Sequence, residues 1–365
     1  MKNWMKKWML GAAVLMLLTT VLVACGGNSS SSGSGSGSGG ASQTSGQSSG
    51  NSGASGAGAE EVPVVDLRLD VVATGTQSIP AFVLEKLELD KKHGFHLIIN
   101  ENSGAGGANW TAIKTNMADA IITNWLDIGR NRAQTVPVYA VAPFLTWANG
   151  MLVPADSPVS SLADLKGLKI GVYNTKSLDW VLIRAAAQRA AGFDPAEENE
   201  VTEGAPGLMV GLIEQNQVDA ILNYGDMNTK LAGTGGFKVL FTVADILKEL
   251  DMNSDAAFLY YGFTETFINE HPETVRQFVA AYEEAVEYLY TNDDIWTEIA
   301  EVKFDITDEA GVANLRDTLR KAIRKELPAT AEEDAHKLFS WLKDNGHGEL
   351  LGIEELPETL FWFGE

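Results

Sequence analysis

Two segments of the chain end in an asparagine next to an aromatic residue, a pairing suited to holding a small organic molecule. Asn124 and Trp125 end the first segment, and Asn223 and Tyr224 end the second. A stacked aromatic pair contributes about 0.5–1.5 kcal/mol beyond burial, and an amide side chain can hydrogen-bond the edge of a planar molecule. The sequence therefore carries groups for recognition of a flat solute at two matching places.

These residues belong to two copies of one pattern. Residues 113–125 read IKTNMADAIITNW, and residues 213–224 read IEQNQVDAILNY. Each copy is expected to close a helix, to turn at Asn116 or Asn216 in the place of a C-terminal cap, and to enter a short apolar strand. Ligands of open α/β sheets bind beyond the carboxyl ends of strands. Two related lobes that face each other are one interpretation, and a chance likeness of two helix-to-strand junctions is the other.

Other candidate residues follow predicted strands or begin predicted helices. The full set of predicted ligand-binding residues is Thr76, Gln77, Ser78, Asn124, Trp125, Trp147, Lys176, Ser177, Trp180, Asn223, Tyr224 and Tyr261. The helix beginning near Ser177 offers unpaired N–H groups that suit a carboxylate or sulfonate. Asp179 in its first turn is expected to be an ordinary surface acid, and its charge opposes an anion. A small, planar, neutral or zwitterionic solute is therefore favoured. The alternative for each tryptophan and tyrosine is that it closes the end of a sheet.

Length and charge limit the fold and the partners. A chain of 365 residues is long for one core and suits two lobes. The formal charge of −22 would repel a phosphate backbone, so nucleic acid is not an expected partner. One cysteine allows no intramolecular disulfide and no cysteine-based metal site, and His93 and His96 are interpreted as structural. The sequence predicts neither a metal nor a cofactor.

The start of the chain has the pattern of an export signal. Lysines precede an apolar run from Trp8 to Ala24, which closes on small residues at Cys25. This resembles the signal peptide and lipobox of bacterial lipoproteins, whose cysteine becomes the lipidated first residue. Residues 1–24 are then the signal peptide, and residues 25–62 are the lipidated cysteine and a Gly/Ser-rich tether with a mean reach of about 30 Å. A single membrane anchor, or an ordinary signal peptide with a chance cysteine, is the alternative.

The remaining chain is predicted to form two α/β lobes. Residues 63–153 would form the first part of lobe 1, residues 154–255 lobe 2, and residues 256–365 the return to lobe 1 with C-terminal helices. Residues 147–154 and 256–263 are expected to be extended segments that cross between the lobes. Two such crossings could absorb the backbone rotation that lobe closure requires.

Several motifs give a specific resemblance. SLADLKGLKIGV at residues 161–172 looks like the start of the second lobe of bacterial extracytoplasmic solute-binding proteins, and the helix beginning HPETVRQF at residue 271 resembles their return to the first lobe. TNWLDIGRNRAQ, MLVPADSP and LNYGDMNTKL are similar to a subgroup of transport lipoproteins. Residues 64–365 as a whole resemble the type 2 periplasmic-binding-protein fold, in the group that binds nitrate, sulfonate, taurine and thiamine-pyrimidine precursors.

This resemblance implies the solute-binding component of an ABC importer. Such a protein is a monomer, lipid-anchored outside the cytoplasm through a cysteine such as Cys25, that delivers a small organic solute to a permease and its ATPase. The alternative ligand within the same fold is an alkyl sulfonate, taurine or nitrate.

Two other functions compete with transport. Fungal pyrimidine-precursor synthases share the superfamily but carry a cysteine-rich motif for iron chemistry, which a chain with one cysteine lacks. The sequence therefore predicts a binding protein and not an enzyme. A surface receptor that senses a solute without transporting it is the second alternative.

Overall fold

The structure, a computed structural model, describes residues 64–73, 75–102 and 107–365. The predicted signal peptide, Cys25 and the tether lie outside the described residues. In chain order the strands are β1 (Val65–Val72), β2 (Phe95–Asn102), β3 (Ala120–Thr123), β4 (Val138–Thr146), β5 (Gly150–Pro154), β6 (Lys169–Val172), β7 (Glu200–Glu203), β8 (Ala220–Asn223), β9 (Phe237–Thr242) and β10 (Ala257–Thr264). They form two five-stranded sheets, and each sheet is the centre of one lobe.

The two sheets have the same strand order and directions. Lobe 1 runs β2-β1-β3-β10-β4 and lobe 2 runs β7-β6-β8-β5-β9. β1 is parallel to its two neighbours, as β6 is to its own, whereas β10 and β5 are antiparallel to theirs. β3 and β8 therefore occupy equivalent positions. Asn116 and Asn216, in the turns before them, both have φ of 55°, so the sequence repeat reflects a structural repeat.

The crossings between the lobes are shorter than predicted. β5 pairs with β8 and β9, so residues 150–154 belong to lobe 2 and the chain crosses at residues 147–149. β10 pairs with β3 and β4, so the second crossing comes before Ala257. The predicted boundary at residue 153 falls inside β5, because an extended apolar sequence looks the same whether it crosses or pairs. Trp147 of the first crossing packs on Phe258, at the start of β10 just after the second crossing, with ring centroids 4.4 Å apart.

Helices cover both sheets and form the C-terminal part of the chain. In chain order they are α1 (Ile79–Lys86), α2 (Leu89–His93), α3 (Ala108–Lys114), α4 (Trp125–Arg132), α5 (Leu178–Ala191), α6 (Pro195–Glu198), α7 (Pro206–Glu214), α8 (Gly225–Gly233), α9 (Val243–Glu249), α10 (Glu265–Glu270), α11 (Pro272–Thr291), α12 (Asp294–Phe304), α13 (Glu309–Ala322), α14 (Ala331–Leu342) and α15 (Gly348–Leu351). Short 3₁₀ turns lie at Thr76–Ser78 and Ala163–Leu165, and a π turn lies at Lys343–His347. Within residues 64–365 as described, no helix combines the length and apolar character of a membrane span.

Helix α11 illustrates how the sequence pattern builds the core of lobe 1. Its apolar residues recur with the helical period, and Val275, Phe278, Tyr282 and Leu289 are all buried. Pro272 stands at the helix start, where its missing N–H leaves no hydrogen bond unmade. The stripe packs against the lobe 1 sheet and fixes the strands whose ends form one wall of the site.

Candidate functional site

A cleft of about 540 Å³ lies between the two lobes. One wall comes from the turn after β1 and the start of α4, and the other comes from the segment after β6 and the start of α8. Each of these segments leaves the carboxyl end of a parallel strand, the edge of a sheet where α/β proteins bind ligands. The volume of the cleft falls within the range of about 300–1,000 Å³ that small-molecule sites occupy.

The lobe 1 wall is formed by polar residues at two helix starts. Thr76 and Gln77 line the cleft from the 3₁₀ turn that leads into α1. Asn124 lines it from the start of α4. The Asn124 side chain accepts a hydrogen bond from the Asp127 N–H at 2.9 Å and donates to the Asp127 carboxylate at 2.8 Å. The α4 cap therefore fixes the orientation of this amide.

The lobe 2 wall combines a helix start with two aromatic rings. Lys176 and Ser177 line the cleft, and the Ser177 hydroxyl accepts from the Trp180 N–H at 3.3 Å to cap α5. Tyr224, at the start of α8, also lines the cleft and is 39% exposed. Its ring centroid lies 4.7 Å from that of Tyr173, with the planes tilted by 56°. The two rings form an aromatic surface on this wall.

The structural repeat pairs residues differently from the sequence prediction. Residues 113 and 213 are equivalent, so Asn124 matches Tyr224 and Trp125 matches Gly225. Asn124 and Tyr224 are both N-cap residues, and both line the cleft. The prediction paired Asn124 with Asn223 because the letters agree, which shifted the second copy by one residue. One step along a strand turns the side chain to the opposite face.

Six of the twelve predicted residues do not line the cleft. They are Ser78, Trp125, Trp147, Trp180, Asn223 and Tyr261, and none is more than 2% exposed. The Ser78 hydroxyl bonds the Gly75 carbonyl at 2.9 Å. The Asn223 amide donates to the Pro206 carbonyl at 3.2 Å, which ties β8 to the start of α7. These polar groups serve the local backbone and are not available to a solute.

The four aromatic residues among these six fill cores. Tyr261 points from β10 toward the helices of lobe 1 and packs against Phe144, Phe278 and Tyr282. Trp180 lies in the first turn of α5, a helix buried on nearly all sides. Trp125 and Trp147 line a much smaller pocket beside α14. These four residues therefore fit the alternative interpretation, in which aromatic side chains pack inside the lobes and do not contact a solute.

Asp179 is a buried carboxylate and not the surface acid that the sequence predicted. It is 0% exposed, and its Oδ2 accepts hydrogen bonds from Asn149 Nδ2 at 2.8 Å and from the Tyr173 hydroxyl. Burial raises the pKa of Asp179 because the charged form is desolvated, and the two hydrogen bonds offset part of this. Periodicity placed Asp179 on a helix start but could not show that the 147–149 crossing covers it.

Asp226 connects the two walls of the cleft. It lies in the first turn of α8, and its Oδ1 accepts from the Met227 N–H at 2.9 Å. The carboxylate also interacts with the hydroxyl and backbone N–H of Thr76 in lobe 1. Burial raises the pKa of Asp226, whereas the contacts with Met227 and Thr76 lower it. A Cβ added to Gly75 would lie 3.1 Å from Asp226 Oδ2, so the two lobes approach closely here.

Two further charged groups of the cleft, Arg130 and Asp70, are already paired. Arg130 bonds Asp127 at 3.1 Å and donates to the carbonyls of Leu351 and Leu350 at 2.7 and 3.0 Å. Asp70 accepts from the Asn102 amide, and burial raises the pKa of Asp70. Arg130 is therefore held by the C-terminal segment and by α4, which leaves its guanidinium little capacity for an anionic ligand.

Sequence reasoning missed Tyr173, Asn149 and Asp226, which all line the cleft. Tyr173 directly follows β6, and the strand-end rule that selected Tyr224 would also have selected it. Asp226 lies two residues after Tyr224, so it also follows the end of a strand and the same rule could have selected it. Asn149 lies in the crossing, and no pattern in the sequence marks that segment as a wall of the cleft.

The described residues contain no group of three or more His, Cys, Asp or Glu side chains that could hold a metal ion. The ring of His93 contacts Glu284 at 2.9 Å, and the ring of His96 contacts Asp66 at 2.8 Å. Each histidine thus joins secondary-structure elements of lobe 1 through one carboxylate.

Three of the solved structures with the same fold are bacterial binding proteins. The aliphatic sulphonate binding protein of Escherichia coli is 18% identical, covers 81% of this chain and 92% of its own, and has a TM-score of 0.66. The alkanesulfonate-binding protein of Xanthomonas axonopodis pv. citri is 16% identical, covers 82% and 98%, and has a TM-score of 0.64. The ligand binding component of an ABC-type import system from Staphylococcus aureus is 12% identical, covers 82% and 96%, and has a TM-score of 0.62.

These similarities confirm the predicted periplasmic-binding-protein fold. No curated protein matches the sequence. The model of the NMT1/THI5-like family matches residues 76–294, which is more than half of the chain, and the chain therefore belongs to the NMT1/THI5-like family.

Proposed function

We propose that this protein is the solute-binding component of an ABC importer that captures a small organic solute between its two lobes. The observation that carries the proposal is that helix starts from both lobes, at Asn124 and Tyr224, line one cleft. A solute that contacts both walls would favour the arrangement in which they lie together, through its differential affinity for that state. The family and the folds of the neighbouring structures support the same function.

The ligand is proposed to be planar. Tyr173 and Tyr224 provide the aromatic surface, while Gln77 and Asn124 carry amide groups on the opposite wall. The three tryptophans predicted from the sequence are buried, so the two tyrosine rings alone carry the argument for a planar ligand. Micromolar affinity corresponds to about −8 kcal/mol, to which burial of the solute, a stacked ring and hydrogen bonds would all contribute.

An alkyl sulfonate is the second candidate ligand. Two structural neighbours are named as sulfonate binders, and Lys176 stands exposed next to the capped start of α5. Against this, Asp179 lies in the first turn of the same helix and Arg130 is already paired. A sulfonate would have to bind beside a carboxylate in a desolvated site, which favours a solute without net negative charge.

Transport implies a membrane anchor and two partners. We propose that Cys25 carries the lipid, that residues 26–62 tether the two lobes outside the membrane, and that a permease with its ATPase receives the solute. The protein has no proposed enzymatic activity and no proposed cofactor. Uptake of the solute distinguishes transport from sensing. Deletion of the protein should abolish uptake if the protein delivers the solute to a permease, and should leave uptake unchanged if the protein only senses the solute.

A thermal-shift screen of the Cys25→Ser chain tests solute binding. A heterocyclic or aromatic solute should raise the melting temperature by an amount that grows with the logarithm of its concentration above the dissociation constant. Nitrate, sulfate and taurine should leave the melting temperature unchanged. If taurine or another alkyl sulfonate gave the largest shift, the start of α5 at Ser177 would carry recognition and the aromatic surface would not.

A further inference from the structure

The buried carboxylate of Asp179 lies directly behind the lobe 2 wall. Its two hydrogen-bond donors, Asn149 and Tyr173, both line the cleft. Its second oxygen, Oδ1, has no hydrogen-bond partner among the described residues. A buried carboxylate oxygen without a partner is costly, so such an oxygen next to a binding cleft indicates an unmet demand for a donor or a positive charge.

Asp179 is not used to cap helix α5. Ser177 performs that role by accepting the Trp180 N–H, whereas the Asp179 bonds run to Asn149 and Tyr173. The carboxylate thus holds two cleft residues in position. Replacing it should affect the cleft and leave the helix cap in place.

The hydrogen-bond directions make this part of the wall an acceptor. The Tyr173 hydroxyl proton points to Asp179, so the Tyr173 oxygen can only accept, and the donors that the chain itself directs at it are the Ser177 hydroxyl and the Asn149 amide. Asn149 donates from Nδ2 to Asp179, and its Oδ1 accepts from the Gly225 N–H at 3.1 Å. The Asn149 amide is therefore committed at both ends. The contact from Asn149 Nδ2 to the Tyr173 oxygen is long, at 3.5 Å, and the Ser177 hydroxyl can rotate away from Tyr173 when a donor of the ligand takes its place.

The charges around the cleft also favour a positively charged group on the solute. Asp70, Asp127 and Asp226 line it and Asp179 lies behind it, against the two cations Arg130 and Lys176. Arg130 is already engaged by Asp127 and two backbone carbonyls. The Tyr173 and Tyr224 rings add their negative faces, to which cations are attracted.

We propose that the cleft selects solutes that carry a protonated nitrogen, an amidinium or ammonium group, which donates to the Tyr173 hydroxyl oxygen with Asp179 as its buried counter-charge. This inference rests on the proposed solute-binding function and assigns the chemical class of the solute. Tyr173 is the contact residue, and Asp179 is a positioning residue that acts through Tyr173 and through its charge.

Three probes of nearly the same shape test the charge preference. Benzamidinium, benzamide and benzoate are planar and differ mainly in carrying charges of +1, 0 and −1. Titration calorimetry with the chain carrying Cys25→Ser should give a dissociation constant for benzamidinium at least about ten-fold lower than for the other two. The ratio between the probes is informative even if each binds weakly.

Two variants and one control link the preference to the named residues. Asp179→Asn and Tyr173→Phe should each weaken benzamidinium binding by about ten-fold while leaving benzamide nearly unchanged. Tyr290→Phe is the matched control, because its hydroxyl donates to the Ile323 carbonyl within lobe 1. If Asp179→Asn does not fold, Tyr173→Phe still decides the question, since its ring packing with Tyr224 is retained.

The outcomes separate this inference from the proposed function. Tighter binding of benzoate or benzamide than of benzamidinium would leave a solute-binding cleft but overturn the charge preference. Failure of benzamidinium to bind would also overturn it, whatever the other probes do. Failure of every solute in the thermal-shift screen would instead overturn the proposed function.

Discussion

Asp226 of lobe 2 contacts Thr76 of lobe 1, and both residues line the cleft. The Asp226 carboxylate interacts with both the hydroxyl and the backbone N–H of Thr76, and Gly75 beside it leaves space that a Cβ would reduce to a 3.1 Å contact. The donors at the start of α1 are thus met by a carboxylate from the same chain. This contact links closure of the lobes to one replaceable side chain.

Replacing Asp226 should loosen the lobes in the absence of solute. Asp226→Asn keeps the size of the side chain but removes the charge that holds the Thr76 donors, a contact worth about 1.5–3 kcal/mol for a charged acceptor. The radius of gyration of the solute-free protein, measured by small-angle scattering, should increase. Glu214→Gln is the control, because Glu214 is exposed at the end of α7. Equal radii for Asp226→Asn and Glu214→Gln would show that this contact does not hold the lobes.

The buried Asp179 should make stability depend on pH. In the unfolded chain an aspartate ionises near about 3.9, whereas burial raises the pKa of Asp179 in the folded protein. Between the two values the folded state binds more protons. The stability that this group contributes is therefore fully present below the unfolded pKa and is lost as pH rises through the folded pKa.

Asp179→Asn isolates that effect. The free energy of unfolding of the variant minus that of the wild type should become more positive as pH rises above the unfolded pKa of about 3.9, and should level off above the raised folded pKa of Asp179. Other acids cancel in the difference, provided that they do not contact Asp179. Parallel curves for the two proteins, measured by urea denaturation, would mean that Asp179 titrates alike in the folded and unfolded states.

Tyr224 should contribute to affinity and little to stability. Tyr224→Ala removes a ring that lines the cleft and contacts Tyr173, so the dissociation constant of the best planar solute should rise about three- to ten-fold. The melting temperature without solute should change little, since the ring is already 39% exposed. Phe363→Ala, which removes a half-exposed ring in the C-terminal segment, serves as the control. An unchanged dissociation constant in Tyr224→Ala would show that the aromatic surface does not contribute to solute binding.

The lipid anchor depends on Cys25, which lies outside the described residues. Cells fed a labelled fatty-acid precursor should label the wild-type protein, and Cys25→Ser should abolish the label because no other thiol exists in the chain. Labelled protein in the Cys25→Ser strain would refute lipidation at this position.

The repeat in the sequence predicted the paired lobes, because equivalent helix-to-strand junctions require the same Asn conformation at Asn116 and Asn216. The repeat did not predict which of the residues at the end of each strand faces the cleft. That depends on where pairing stops, and a shift of one residue separates exposed Tyr224 from buried Asn223. Hydrogen bonding within the sheet decides this, and the apolar pattern is the same in both registers.

The positions of the tryptophans and of Asp179 depend on contacts between distant segments. Trp147 packs against Phe258 at the start of β10, and Asp179 is bonded by Asn149 from the first crossing. Local sequence carries no information about either approach. Tyr224 and Tyr173 follow β8 and β6 directly, so the strand-end rule brings a prediction close to both, although the exact residue that faces the cleft depends on the pairing.

Hydrogen exchange tests most directly whether one solute binds both walls of the cleft. The amides of the protein are compared with and without the solute that gives the largest thermal shift. We predict slower exchange in lobe 1 around Thr76 and Asn124, and in lobe 2 around Ser177 and Tyr224, because a bound solute restricts local opening of the segments it contacts. Slower exchange confined to one lobe, or located away from all four segments, would contradict capture of the solute between the lobes.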